Sequence, residues 1–383
     1  SIGQEAIRMV GHVAAQDRPW TDLVQGNWTM TNETLGAIWP VTYPDNQQGW
    51  TLSEYTDGRP GAGILSTNSM WWRYDSTFSN ANRKRANQIS RIFLCNDYLL
   101  KKIEFDRNVN LLDQESIDDA LAHNPACINC HSSLDPLASY LYGFWYLQQN
   151  NAVDLTHYHP EREQTWKRTT GIAPAYYGEP GFTLRDLGQQ IAKDNQFIRC
   201  AVQQSWELLL RRDASTADID SLIQHREVFL SNALTIKPLF RSIIDTPEYR
   251  AGRTDEPGMV SKKMVTPSML ASEIEHLTGF QWTLQGYDVM ASDTFGFLTL
   301  AGGADGYYTT AHATQPNATL ILVQERLAEA AALYVTQRDA DPTHSEKTLF
   351  EHIDFTEIPE DNRARMITQI QALHFRIFGT RVA

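Results

Sequence analysis

His123-Asn124-Pro125-Ala126-Cys127-Ile128-Asn129-Cys130-His131-Ser132-Ser133-Leu134-Asp135-Pro136-Leu137 is the stretch on which the reading of this chain turns. Within it, Cys127, Cys130 and His131 stand at positions i, i+3 and i+4. In an α-helix these positions share one face. Pro125 suits the first turn of such a helix, where a missing N–H costs nothing. Two thiols and an imidazole on one helical face match the pattern that attaches a c-type haem, with Cys127 and Cys130 bonded to its two vinyl groups and His131 directed at the iron. With four Cys and eleven His in 383 residues, random placement yields this run in about one chain per thousand, so the signal is specific. Three other readings compete. A zinc site needs a second ligand pair at regular spacing, which the sequence lacks. A thioredoxin-like pair needs a βαβ setting, and the surroundings read as helical. Plain burial of two cysteines is the third. Leu134, Pro136 and Leu137 are placed either to pack on a porphyrin edge or to join an ordinary core.

Outward from this run the chain reads as mainly helical. Ile2–Ala15 is amphipathic, Thr31–Ile38 begins at a cap, and residues 41–69 carry the Gly, Pro and Asp of a long loop. A helix is expected over Asn80–Asn96, with Ala86, Ile89, Ile92, Phe93 and Leu94 inward. Arg83, Lys84 and Arg85 lie at its start, where positive charge opposes the helix dipole. That placement is either a solvated basic turn or the sign of an anionic group nearby. Ser116–Ala122 is a short helix, and Ala126–Leu147 carries the cysteine run followed by Tyr140, Tyr142, Phe144, Trp145 and Tyr146. Residues 150–182 form a polar connection. Helices follow over Leu184–Arg211, Thr216–Leu230 and Lys237–Ile244, a trio that reads as a small domain. Gly252–Pro257 has the composition of a linker. Beyond it, helices over Pro267–Thr278, Thr319–Thr336 and Glu360–Phe378 flank a loop-rich stretch. Leu373–Gly379 weakly echoes Trp206–Arg212, so the last domain reads as truncated.

The net charge of −13 argues against a nucleic-acid partner, which calls for clustered Lys and Arg. No stretch approaches the roughly 18 apolar residues of a membrane span. The chain opens at Ser1-Ile2-Gly3 without Met and with no signal-peptide pattern, so it reads as processed or as part of a longer one. Ten Trp and fifteen Tyr point to large packed surfaces, internal or against partners.

The cysteine run and its flanks resemble the haem segment of a family of large cytochrome c-like proteins abundant in planctomycetes and myxobacteria. Gly61-Ala62-Gly63-Ile64-Leu65-Ser66-Thr67 and Asn80-Ala81-Asn82-Arg83-Lys84-Arg85-Ala86 are similar to the segment before the haem motif in that family. Asp17-Arg18-Pro19-Trp20 and Gly26-Asn27-Trp28-Thr29-Met30-Thr31-Asn32 resemble the end of a preceding family domain. Phe197-Ile198-Arg199-Cys200, Leu239-Phe240-Arg241 and Thr246-Pro247-Glu248-Tyr249-Arg250 resemble the helical domain that follows. The likeness covers about residues 1–250. It implies export, one covalent haem c and a redox role, with no particular reaction attached.

The expected fold is therefore mainly α: a cytochrome c-like haem domain flanked by small helical domains with long irregular loops. The expected boundaries are 1–55, 56–160, 161–252 and 258–383. The sixth iron ligand is left open among His157, His159 and Met70, with Met30 and His12 further upstream. No Met lies between His131 and Met259, a departure from a class I layout. Arg83 and Arg85 are candidates for the haem propionates, since guanidinium suits a carboxylate. Cys95 and Cys200 are either a disulfide or two buried thiols, and haem attachment implies an oxidising compartment that favours the bridge. The functional expectation is an exported monohaem electron-transfer protein, periplasmic or at the cell surface, within a larger assembly of redox or haem proteins. A haem enzyme with an open distal site, and a scaffold subunit with structural haem, are the competing expectations.

Overall fold

A computed structural model describes residues 2–100, 109–110, 112–144, 153–250, 263–306, 308–358 and 360–381. Trp145 and Tyr146, in the aromatic stretch after the cysteine run, lie outside these residues, as does the expected linker at 252–257. Helix makes up 58% and strand 5% of the described residues, so the fold is mainly α. The chain divides into two compact units, residues 1–209 with 214–250, and residues 210–213 with 251–383. The three stretches expected as separate domains before residue 252 thus pack together in one unit.

The first unit begins with α1 (Glu5–Ala15). Its inward residues are Glu5, Met9 and Val13, spaced four apart, while Ile7 is exposed. A buried carboxylate on this face is unexpected from the sequence. It is accommodated because the hydroxyls of Thr29 and Tyr55 and the backbone N–H of Ser69 all donate to it. Burial still pushes Glu5 above the ordinary carboxylate range, against the effect of these hydrogen bonds. Thr31 belongs to a strand, Thr29–Thr31, paired antiparallel with Thr51–Ser53, and the helix expected from it shrinks to Glu33–Gly36, capped by Asn32. Loop 41–69 thereby contributes one edge of a two-stranded sheet.

Helix α2 (Arg83–Leu94) is buried around most of its circumference, polar Asn87, Gln88 and Ser90 included. It enters through Ala81 and Asn82 and ends at Cys95, all three in the left-handed region. Helix α3 (Gln114–His123) starts at Asp113, whose side chain accepts from Ser116 N. It stops at Asn124, which is extended, as the residue before a proline is pressed to be. The Asn124 side chain then accepts from Ala126 N and caps helix α4 (Pro125–Ser139). One residue closes a helix and opens the next.

Leu184–Arg211, expected as one helix, is two: α5 (Leu184–Lys193) and α6 (Asn195–Leu210). Asp194 adopts an extended conformation and its carboxylate accepts from Gln196 N, so the side chain out-competes the continuing helix. Helix α5 carries a capping box, Thr183 with Asp186. Gly188 lets it approach the short helix Asp22–Gln25, where a Cβ would lie 2.0 Å from the Val24 carbonyl oxygen. Helices α7 (Ile219–Ser231) and α8 (Ile236–Ile244) complete the trio, and the Leu234 carbonyl accepts from Trp20 N. The sulfurs of Cys95 and Cys200 are bonded, tying the end of α2 to α6.

The second unit contains α9 (Pro267–Thr278), α10 (Ala318–Ala340) and α11 (Arg363–Phe378). Its core centres on Met290, Ala301, Val323 and Leu327 with Leu270, Ile274, Trp282 and Phe297 against them. Asp339, buried in α10, accepts the backbone N–H groups of Thr348, Leu349 and Phe350, so one carboxylate anchors the loop that follows the helix. No helix among the described residues is long and apolar enough to cross a membrane.

Candidate functional site

The cysteine run lies in the first half of α4, so the helical spacing expected for Cys127, Cys130 and His131 is present. Both cysteines are free thiols, Cys130 buried and Cys127 half-buried. The His131 ring is 28% exposed, a side chain neither packed away nor fully in solvent. Leu134, Leu137, Ala138 and Ser139, in the second half of the helix, are buried. Leu134 and Leu137 belong to the protein core, and Pro136 sits inside the helix. Lacking an N–H, Pro136 leaves the Ser132 carbonyl without its helical donor, where the exposed half meets the buried half.

Asp135 stands one turn beyond His131 and is 4% exposed. Its carboxylate accepts from His131 Nδ1 at 3.0 Å and from Arg83 Nε and Nη2 at 2.7 and 3.0 Å. Burial pushes the Asp135 carboxyl upward, but the hydrogen bonds from His131 and Arg83 and the charge of Arg83 outweigh it, and it titrates below its ordinary range. An ionised carboxylate can only accept. The proton in the contact therefore belongs to His131 Nδ1, and in the neutral ring Nε2 carries the lone pair. That is the tautomer an axial iron ligand needs, with its other nitrogen donating to a carboxylate.

The basic cluster at the start of α2 also resolves into separate contacts. Arg83 grips Asp135 in a two-pronged pair, and Lys84 pairs with Asp75 at 2.6 Å. Arg85 is buried and donates to the carbonyls of Tyr74, Phe144 and Trp71 and to Asn82 Oδ1. The anionic groups answering the cluster are thus Asp135 and Asp75. Of the two propionate candidates, Arg83 lies beside the motif helix and Arg85 is committed to backbone carbonyls.

A hydroxyl chain flanks the other side of the run. Ser133 Oγ lies 2.7 Å from the Tyr98 hydroxyl, which lies 3.3 Å from that of Tyr177. Burial, first, pushes Tyr98 up to about 12. Leu99 and Leu100, next in sequence, are exposed.

Three candidates for the sixth ligand, Met70, His157 and His159, lie in two segments that touch: Asn68 Nδ2 donates to the Thr156 carbonyl and Trp72 Nε1 to that of Leu155. Met70 is buried in the short helix Asn68–Arg73. His157 lies 3.0 Å from Thr156 Oγ1. His159 is buried, its ring nitrogen 3.0 Å from Glu161, and its backbone N–H donates to Gly143 beyond the far end of α4. Eight helical steps lead from His131 to Ser139, about 12 Å of rise. Upstream, the His12 ring packs 5.2 Å from Trp28, and Met30 lies in a strand.

Among the described residues no three or more His, Cys, Asp or Glu side chains are arranged to hold a bare metal ion. A porphyrin brings four iron ligands of its own and asks of the chain two thiols and one imidazole. The donor set on α4 fits that demand: free thiols at i and i+3, and an imidazole at i+4 whose tautomer is fixed. The residue that sequence reasoning missed is Asp135, passed over among packing residues, although its i+4 spacing from His131 was visible. No family model, curated protein or solved structure matches the chain.

Proposed function

We propose that this chain is an exported monohaem c-type cytochrome that carries electrons as a subunit of a larger redox assembly. The observation that carries the reading is the helical cluster of Cys127, Cys130 and His131, with Nδ1 of His131 held by Asp135. The bound haem supplies one-electron chemistry at its iron. Cys127 and Cys130 would supply the thiols for its covalent attachment, and His131 would supply Nε2 to the iron. Arg83 and Asp135 fix the orientation of that imidazole. In this reading the motif helix and α2 form a cytochrome c-like haem domain.

The Cys95–Cys200 bridge supports a periplasmic or cell-surface location, since disulfides persist in oxidising compartments. The negative charge supports protein partners, redox or haem proteins, over nucleic acid. Chain length well beyond a single domain of about 100–150 residues supports docking within an assembly. Mass spectrometry of the peptide spanning Cys127–His131, after expression with a haem-attachment apparatus, tests the proposal. One added haem is expected, and a bare or zinc-bound peptide overturns it. A visible spectrum that changes on adding CO or cyanide would replace electron transfer by a haem enzyme with an open coordination position.

A further inference from the structure

We infer that Arg83 and Asp135 form a positioning pair that sets the redox potential of the site through His131, with the carboxylate lowering it and the guanidinium limiting that fall. The inference rests on the haem-attachment reading. It goes beyond that reading by assigning a direction and a sign to each of two residues.

The geometry is a chain of three groups. The guanidinium of Arg83 engages both oxygens of Asp135, at 2.7 and 3.0 Å, and one of those oxygens accepts from His131 Nδ1 at 3.0 Å. The three groups come from two helices, since Arg83 opens α2 while His131 and Asp135 are one turn apart on α4. Asp135 is buried and cannot swing to a solvent-stabilised rotamer without abandoning both partners. A carboxylate that draws the Nδ1 proton makes the ring a stronger donor at Nε2. A stronger donor, with a negative charge close by, favours the more positive oxidation state of the iron and lowers its potential. Arg83 acts in the opposite sense. Its positive charge offsets part of the carboxylate's field and competes with the imidazole for the same oxygen. Arg83 at a helix N-terminus is disfavoured by the helix dipole. Its contact with Asp135, 52 residues away in sequence, explains that placement.

The opposite signs make the inference testable. In the haem-loaded full chain at pH 8, Asp135→Asn keeps the size and an acceptor but removes the charge, and its midpoint potential is expected to rise. Arg83→Gln leaves the carboxylate unopposed, and its potential is expected to fall. Each shift is expected to reach a fivefold to tenfold change in the equilibrium constant against a fixed mediator, the larger being ~59 mV for one electron. Arg83→Lys, which keeps the charge, is expected to restore most of the parent value. A purely structural pair would move both variants in the same direction or leave both unchanged, and either result overturns the inference. Should a variant fail to fold, NMR of the reduced parent protein supplies the reading. A slowly exchanging Nδ1–H on His131 is expected, and its absence overturns the inference. A parent protein without haem defeats the attachment reading instead, so the two failures are distinct.

Discussion

Cys95 and Cys200 are 105 residues apart in sequence and joined, whereas Cys127 and Cys130 are three apart and free. The difference follows from backbone geometry. On a helix, positions i and i+3 hold their Cβ atoms about 5–6 Å apart. A disulfide needs about 3.5–4.5 Å. An intact α4 therefore keeps its cysteines as thiols even where Cys95 and Cys200 are oxidised. The latter pair sits where the left-handed end of α2 meets α6, and no single helix constrains it. One pair closes a long loop and stabilises the fold. The other remains a pair of thiols, on a helix that also carries His131 and its contact with Asp135.

The largest effect should come from the open pair. Replacing Cys127 and Cys130 together by Ser is expected to abolish haem that survives denaturation, read by haem staining of a denaturing gel. Haem still bound covalently after that change would break the comparison. Replacing Cys95 and Cys200 by Ala should instead leave haem attachment intact. It should cost about 4 kcal/mol of stability, because a closed loop of this length restricts the unfolded chain. The urea midpoint measures that cost, and loss of haem in this variant would show that the two pairs are not independent.

A third tie in the same unit is ionic, which sharpens the contrast with the covalent one. The side chains of Asp57 and Arg59 are buried and paired at 2.5 Å, and Asp57 also accepts from the backbone N–H of Tyr158 at 2.7 Å. Burial opposes ionisation of Asp57, but the contacts with Arg59 and Tyr158 outweigh it, and the carboxyl lies below its ordinary range. A depressed folded pKa gives stability that is full above the unfolded value near about 3.9 and is lost as pH falls through the folded one. The bridge has no such dependence. Asp57→Asn should cost about 3 kcal/mol at neutral pH by leaving Arg59 buried beside a neutral partner. It should also flatten the fall in stability below about pH 4. Urea midpoints at pH 3, 5 and 7 check both statements. The smallest effect belongs to Asn124→Ala, which removes the cap of α4 and should cost about 1 kcal/mol. Amide exchange across Pro125–Cys130 is expected to quicken there and nowhere near Cys95.

The motif helix was legible because everything that makes it is local. Asn124, Pro125 and the i, i+3, i+4 spacing all lie within eight residues, and helix geometry converts that spacing into a shared face. The helix starting at Pro267 was legible for the same reason, with Thr266 as its cap. Errors arose where a side chain competes with the backbone. Asp194 splits one expected helix, and Thr31 enters a strand because Thr51 lies opposite it. The cluster at Arg83–Arg85 was visible as an anomaly, but nothing local says that Arg83 reaches Asp135 or that Arg85 is enclosed by carbonyls from Tyr74, Trp71 and Phe144.

The sequence by itself determined the mainly helical class and the facing of Cys127, Cys130 and His131. Those properties depend on periodicity, composition and spacing, which are written along the chain. Tertiary structure alone decided that residues 1–209 and 214–250 pack as one unit and that Cys95 meets Cys200. It also decided that the tautomer of His131 is set by a carboxylate held from another helix. Each of these joins groups tens of residues or more apart, or depends on the burial such a join creates. The contact with Arg83, outweighing burial, favours the ionised Asp135 carboxylate that accepts from His131 Nδ1.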